Sequence, residues 1–338
     1  MTTPNDSLDF YPTPDSLAFD MVFSLREVKS GFTTYPRPIL EPSAGDGALA
    51  RQIHSLVFDV HHDYKTGEVD RYDKEKARSA ELDCIELSSD FRAVLKKDGF
   101  RVVHDNFLTF RPTTKYGAIV MNPPFSDKSW SDGIKTSEDK YKRFDGYGIP
   151  PEKNGDYAWF LHVLKSLDSN GKAGIIMPHG VLFRGNAEET IRIEVLKKRY
   201  IKGIVSLPAN LFYGTGIPAC IVIIDKEDAE TREGIFLIDA SRGFKKDGNK
   251  NRLREQDIEK IVQTFISGKT VKGYARFVKY TDILEQNAGN LNVPRYIQKI
   301  DDTLPQNIAA HLKGGIPGTD IESLKRLWDI SPALKQEI

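Results

Sequence analysis

The chain has 338 residues, 39% of them hydrophobic and 10% aromatic, enough to bury a full core in one large or two modest domains. Lys plus Arg and Asp plus Glu each number 48, so the net charge is zero. That balance argues against unaided grip on nucleic acid through bulk charge and leaves any such contact to local patches or a partner. No apolar run approaches a membrane span, and Met1-Thr2-Thr3-Pro4-Asn5-Asp6 lacks the basic and apolar regions of a signal peptide. No membrane association and a cytoplasmic location are expected.

In chain order, Phe10-Tyr11-Pro12-Thr13-Pro14 is a rigid proline-spaced turn that opens a helix carrying Leu17, Met21, Val22 and Leu25. A helix N-terminus there could also receive a carboxylate. Pro38-Ile39-Leu40-Glu41-Pro42-Ser43-Ala44-Gly45-Asp46-Gly47 then reads as a strand, an acidic residue and a glycine turn, followed by a helix through Ile53 and Leu56. This is the βα unit that binds an adenosine-containing cofactor, with Gly45 and Gly47 letting the backbone approach the ligand. It is not the dinucleotide fingerprint, because Ala50 stands where a third glycine would fall.

Residues 58–81 read as a solvated excursion, and His61-His62 as surface residues with no metal-ligand spacing around them. The strand Leu82 to Leu87 ends on Glu86, placed to bond ribose hydroxyls. A helix from Phe91 to Lys97 and a strand from Arg101 to Val103 lead to Asp105, which could accept from a purine amino group while Phe107 lines the pocket. Cys84 and Cys220 lie in strand-like apolar runs, so buried free thiols are expected rather than a disulfide or a metal site.

The apolar run Ala118-Ile119-Val120-Met121 reads as a buried strand stopped by prolines at Asn122-Pro123-Pro124-Phe125. The Asn122 side-chain carbonyl and the Pro123 carbonyl are two acceptors side by side, which suits the two N–H donors of an exocyclic amine. Accepting both would keep the nitrogen lone pair out of ring conjugation and aim it at an electrophile. Phe125 offers a face for a planar base, a contact worth roughly 1–3 kcal/mol.

Residues 126–154 form a long polar loop that mixes lysines with Trp130, Tyr141, Phe144 and Tyr147, and it reads as a lid or a nucleic-acid contact. A helix at 156–167, a strand at 173–178, a helix at 188–199 and strands at 201–207 and 219–224 follow. The loop Pro208 to Pro218, with Phe212 and Tyr213, could close the other wall of a base pocket. Beyond it come a strand at 235–238, a basic loop from Arg242 to Arg254, a helix at 256–265, and a tail with a helix at 320–328. The domain reading is a catalytic domain over 1–226 and a docking extension over 227–338.

These stretches resemble the γ class of N6-adenine DNA methyltransferases, and in particular the modification subunit of type I restriction–modification systems. Phe10 to Pro14, Glu41 to Gly47 and Asn122 to Phe125 look like that class's motifs X, I and IV in order. Gly155-Asp156-Tyr157-Ala158-Trp159-Phe160, Met177 to Gly185 and Leu207 to Cys220 are similar to the subunit family further along, as are Asn290 to Ile297 and His311 to Pro317. The departures are Glu-Pro-Ser-Ala-Gly-Asp-Gly in motif I, the extra Pro12, and a motif X that begins at Phe10, where family members carry a long helical domain ahead of it. They bear on assembly more than on chemistry.

The resemblance implies an α/β fold, a Rossmann-like seven-stranded methyltransferase sheet with a C-terminal helical tail. It implies S-adenosyl-L-methionine held by Tyr11, Thr13, Pro14, Glu41, Ala44, Gly45, Gly47, Glu86, Leu87, Asp105 and Phe107. The amino group of a flipped adenine would meet Asn122, Pro123, Pro124 and Phe125, with Asp156, Phe212 and Tyr213 toward the substrate. DNA, a specificity subunit and a restriction subunit are the partners implied, and no metal. The alternatives are methylation of another amine or amide, such as an RNA base or a protein glutamine, and an idle cofactor-binding scaffold.

Overall fold

The computed structural model describes residues 27–29, 32–34, 36–58, 61–62, 69–70, 82–212 and 216–297. Tyr11, Thr13, Pro14, Tyr213, most of the 58–81 excursion and the tail helix expected at 320–328 lie outside the described residues.

The sheet strands are β1 (Ile39–Glu41), β2 (Leu82–Ile85), β3 (Arg101–His104), β4 (Tyr116–Met121), β5 (Leu167–Pro178), β6 (Ile201–Ser206), β7 (Ala219–Asp225), β8 (Gly234–Asp239) and β9 (Ala275–Lys279). Their order is β9-β8-β6-β7-β5-β4-β1-β2-β3. Pairing is parallel from β3 through β5. Strand β7 runs antiparallel to both β5 and β6. The order reverses between β1 and β4, and in open α/β sheets the ligand crevice lies at the carboxyl ends of the strands beside such a switch.

The α/β class and the Rossmann-like order are as expected, but the sheet has nine strands rather than seven. Strand β8 pairs parallel with β6, and β9 closes the edge antiparallel to β8. Sheet pairing therefore crosses residue 226, where the sequence suggested a boundary. Every residue of β8 is buried, because its alternate side chains join the apolar clusters on the two sheet faces. Strand β9 alternates poorly, with Arg276, Phe277 and Lys279 exposed, as an edge strand guarded by charge.

Helices α1 (Ala48–Phe58), α2 (Ser89–Lys97), α3 (Asp156–Ser166), α4 (Ala187–Lys197) and α5 (Glu255–Ser267) cover the two faces. The alternation of β4 sorts them. Ile119 and Met121 join the apolar cluster of α3 and α4, whereas Ala118 and Val120 join that of α1, α2 and α5. Cys84 and Cys220 are free and buried on β2 and β7.

The segment 126–154 is packed rather than loose. The Trp130 indole donates to the Pro151 carbonyl at 3.0 Å and to the Glu152 carbonyl at 3.1 Å. Arg143, 1% exposed, is paired with Asp139 at 2.9 Å. The aromatic and arginine content that suggested a nucleic-acid lid thus sits partly in the core, leaving Lys128, Lys135, Lys140 and Lys142 exposed. Among the described residues no helix is long and apolar enough to cross a membrane.

Candidate functional site

The carboxyl ends of β1, β2 and β4 and the start of the 126–154 segment enclose a cleft of about 610 Å³. At its floor, β1 ends on Glu41 and the chain turns through Gly45 (φ 52°) and Gly47 (φ 90°), left-handed conformations that favour glycine. Asp46 accepts from the Ala48 N–H at 3.0 Å and so starts α1. The Ala44 N–H donates to the Ile85 carbonyl at 3.0 Å, tying the turn to β2.

Glu41 is 1% exposed, and its Oε2 has no hydrogen-bond partner among the described residues. Burial, with Glu86 and Asp46 nearby, pushes its carboxyl well above the usual carboxylate range. A buried oxygen of this kind at the wall of a cleft suits a cationic ligand group. Glu86 is held differently. One carboxylate oxygen accepts the Gly45 N–H at 2.7 Å and the other accepts the Ser88 N–H at 2.7 Å. Each oxygen keeps a lone pair for a hydroxyl donor.

The opposite wall carries the turn after β4. Asn122, Pro123 and Pro124 line the cleft. The Ser43 hydroxyl donates to the Asn122 carbonyl at 2.9 Å, so the glycine turn and the proline turn are bonded to each other. Ser126, directly after Phe125, has φ 53°, a conformation that costs of order 1 kcal/mol for a residue with a Cβ. Asp156 offsets that strain: its Oδ1 accepts the Ser126 N–H at 2.7 Å, and its Oδ2 is paired with Arg184 at 2.9 Å. Arg184 also pairs with Glu188 at 2.9 Å.

Of the expected site residues, Glu41, Ala44, Gly45, Glu86, Leu87, Asp105, Phe107, Asn122, Pro123 and Pro124 are brought to one cleft. Leu87 is 57% exposed there, an apolar side chain next to the acidic one. Phe107 stacks on Trp159 with centroids 5.8 Å apart, and both line the cleft. Gly47, Phe125, Asp156 and Phe212 do not line it. Asp156 is 2% exposed and braces the turn from behind the cleft lining. Phe125 and Phe212 meet edge to face at 5.7 Å within one apolar cluster, which joins the proline turn to the loop after β6.

That loop is fastened at both ends by residues the sequence reading did not single out. The His179 N–H donates to the Pro218 carbonyl at 3.0 Å, and its Nε2 lies 3.0 Å from the Ser206 hydroxyl. Burial lowers the His179 pKa, keeping the ring neutral. Ser43, His179 and Arg184 stood inside quoted motifs, but their partners lie 79, 27 and 28 residues away, beyond any local pattern.

The model of the N-6 DNA methylase family matches residues 9–303. A type I restriction enzyme methylase subunit (MjaVIII) of Methanocaldococcus jannaschii is 34% identical over 194 residues, 56% of this chain and 33% of that protein. A second from the same organism (MjaVII) is 30% identical over 278 residues, 78% of this chain and 46% of that protein. The chain thus spans a third to a half of the length of these curated relatives. Among solved structures, the type I restriction–modification methyltransferase subunit from Streptococcus thermophilus superposes with a TM-score of 0.67 at 27% identity. That match covers 85% of this chain and 59% of the other.

Proposed function

The chain belongs to the N-6 DNA methylase family, and from that premise we propose that it methylates the N6 amino group of adenine in DNA. The methyl donor is S-adenosyl-L-methionine, and a partner subunit supplies sequence specificity. The observation that carries the reading is one cleft holding both the Glu41 oxygen that has no partner among the described residues and the Asn122-Pro123-Pro124 turn, bonded together through Ser43.

The residues present fit the cofactor. Glu41 would face its positive charge, the Gly45 backbone and Glu86 its ribose side, and Leu87, Asp105 and Phe107 its adenine. When bound, the cofactor supplies an electrophilic methyl group. The chain's own part is positioning. Asn122 Oδ1 and the Pro123 carbonyl accept both hydrogens of the target amine, localise its lone pair and orient it. After transfer the amine sheds its extra proton to solvent, so no buried base is needed. Neither cysteine is placed for a covalent step, since both are buried in strands.

Admitting a base between Phe125 and Phe212 requires the rings to part. That gives up one aromatic contact worth about 0.5–1.5 kcal/mol and gains a base stack worth roughly 1–3 kcal/mol. The net runs from about −0.5 to 2.5 kcal/mol, and its favourable end helps offset the few kcal/mol that flipping costs. The zero net charge supports a specificity partner.

The test is tritiated-methyl transfer to DNA by the chain with and without the product of a neighbouring gene, followed by nucleoside analysis. N6-methyladenine formed in the presence of the partner is the expected result. Label appearing only in RNA or protein would overturn the substrate, and tight sequence-specific DNA binding by the chain alone would overturn the partner.

A further inference from the structure

The stretch Arg242 to Arg254 holds six basic residues against one acidic residue, in a chain whose charges otherwise cancel. The sequence suggests a loop there, but the structure folds it into a hairpin, Lys245–Asp247 paired antiparallel with Lys250–Arg252. Lys245 stands directly opposite Arg252. Like charges facing across a strand pair are destabilising unless an anion lies against them. Arg242, Lys245, Lys246 and Arg252 are exposed and take part in no ion pair among the described residues. Arg254 is committed to Asp257 at 2.7 Å. A groove of about 700 Å³ separates the hairpin from the start of α5, with Lys245 and Arg252 on one wall and Glu255 and Glu259 on the other.

The hairpin is also bonded to the loop that carries Phe212. Lys250 Nζ donates to the Phe212 carbonyl. The Asn251 amide nitrogen donates to the Ala209 carbonyl at 2.6 Å, and the Asn251 N–H to the Asn210 carbonyl at 2.9 Å. Asn251 is 7% exposed, so these bonds are shielded from water. The basic side chains are therefore fixed, through three hydrogen bonds, to the segment that packs on Phe125.

We propose that this hairpin grips the DNA sugar-phosphate backbone, with Lys245, Lys246 and Arg252 on phosphates, and that Lys250 and Asn251 couple that grip to the aromatic wall at Phe212. A phosphate backbone is favoured over an acidic protein surface because the strand flanking a flipped base must run past that wall. The proposal rests on DNA being the substrate.

The test is fluorescence anisotropy of the full chain with a dye-labelled duplex of mixed sequence, over about 50 to 200 mM salt. The triple variant Lys245→Gln/Lys246→Gln/Arg252→Gln should bind with a log–log salt slope shallower by roughly 2 to 3, one step per lost phosphate contact. Its S-adenosylmethionine affinity and unfolding temperature should match the wild type; were it to misfold, each single variant should lose about 0.9 of slope. Equal slopes overturn the proposal, as does a wild type with no salt-dependent binding. Equal slopes with lost capture of a specificity subunit assign the hairpin to a protein partner instead. Equal slopes in a wild type that methylates adenine sink the hairpin alone, whereas a lost slope in a chain that never methylates DNA sinks the activity and keeps the interface.

Discussion

Replacing Glu41 by Gln is expected to weaken cofactor binding while removing from the free protein a carboxyl that is costly to ionise. In the free protein the carboxyl is desolvated, lies near Glu86 and Asp46, and has an Oε2 without a partner among the described residues. Its folded pKa is raised, so between the ordinary carboxylate value and that raised value the folded state holds a proton that the unfolded state has lost. Stability therefore falls as pH rises through this window. Glutamine has no such linkage, so the unfolding temperature of Glu41→Gln relative to wild type should climb as pH rises above the ordinary carboxylate value and level off only past the raised one. Binding a cation reverses the balance, because it favours the carboxylate. Wild-type affinity for S-adenosylmethionine should accordingly rise with pH over the same window, and the variant's should not. One lost charge-assisted contact is worth about 1.5–3 kcal/mol, or roughly 10- to 150-fold in Kd. Calorimetric titration at several pH values, with thermal unfolding of the free protein alongside, reads both effects. Affinity within about twofold of wild type at neutral pH, where a 1.4 kcal/mol loss would show as tenfold, would refute Glu41 as the cation-facing group.

Asn122→Ala should lower kcat by about 100-fold or more, the scale of one preorganised hydrogen bond, with S-adenosylmethionine Kd unchanged; near-normal turnover would sink the amine-acceptor role. Asp156→Asn puts an amide where Ser126 and Arg184 are held at 2.7 and 2.9 Å. It should cost about 2–3 kcal/mol in urea unfolding, the lower end because Arg184 keeps Glu188, and it should depress kcat more than cofactor affinity. Gly155→Ala would place a Cβ 2.6 Å from the Trp130 Cβ and 3.0 Å from the Asp127 carbonyl. Overpacking on that scale costs about 1–3 kcal/mol, and the displaced Asp127 should carry the proline turn with it, seen as lost methyl transfer; full activity would show that the turn tolerates the shift.

How much of this was legible in the sequence depends on how local each signal is. The β4 run from Tyr116 to Met121 and the turn after it are contiguous, so apolar continuity followed by two prolines located both. Strand β9 was missed because Ala275-Arg276-Phe277-Val278-Lys279 lacks a clean alternation, its outer edge being charged for solvent. Strand β8 was read correctly as a strand, but its place beside β6 could not be, since pairing across 33 residues leaves no mark on either segment. The basic stretch from Arg242 read as a loop because a hairpin of three-residue strands is too short to show a period of two. Asp156 was read toward the substrate, yet it lies buried behind the cleft lining; a sequence cannot tell a carboxylate that faces a ligand from one that braces the residue that does.

Phe125 and Asp156 also explain why the site is built from distant segments. The proline turn is bonded through Ser43 to the glycine turn, through Asp156 to the start of α3, and through Phe125 to the loop at Phe212. Each tie comes from a different part of the chain, and none can be lost without freeing one side of the turn. Ser126 sits in a left-handed conformation that no isolated Pro-Pro-Phe-Ser segment would favour. The turn therefore acquires its shape from those three ties rather than from its own residues. A Ser43→Ala variant would loosen only the cofactor side and an Asp156→Asn variant only the helix side. Their effects on kcat should then exceed the sum of the single losses when combined, because the second cut frees the turn on both the cofactor side and the helix side. Strict additivity would mean that the turn is rigid by itself, and the bracing role assigned to Asp156 would fall.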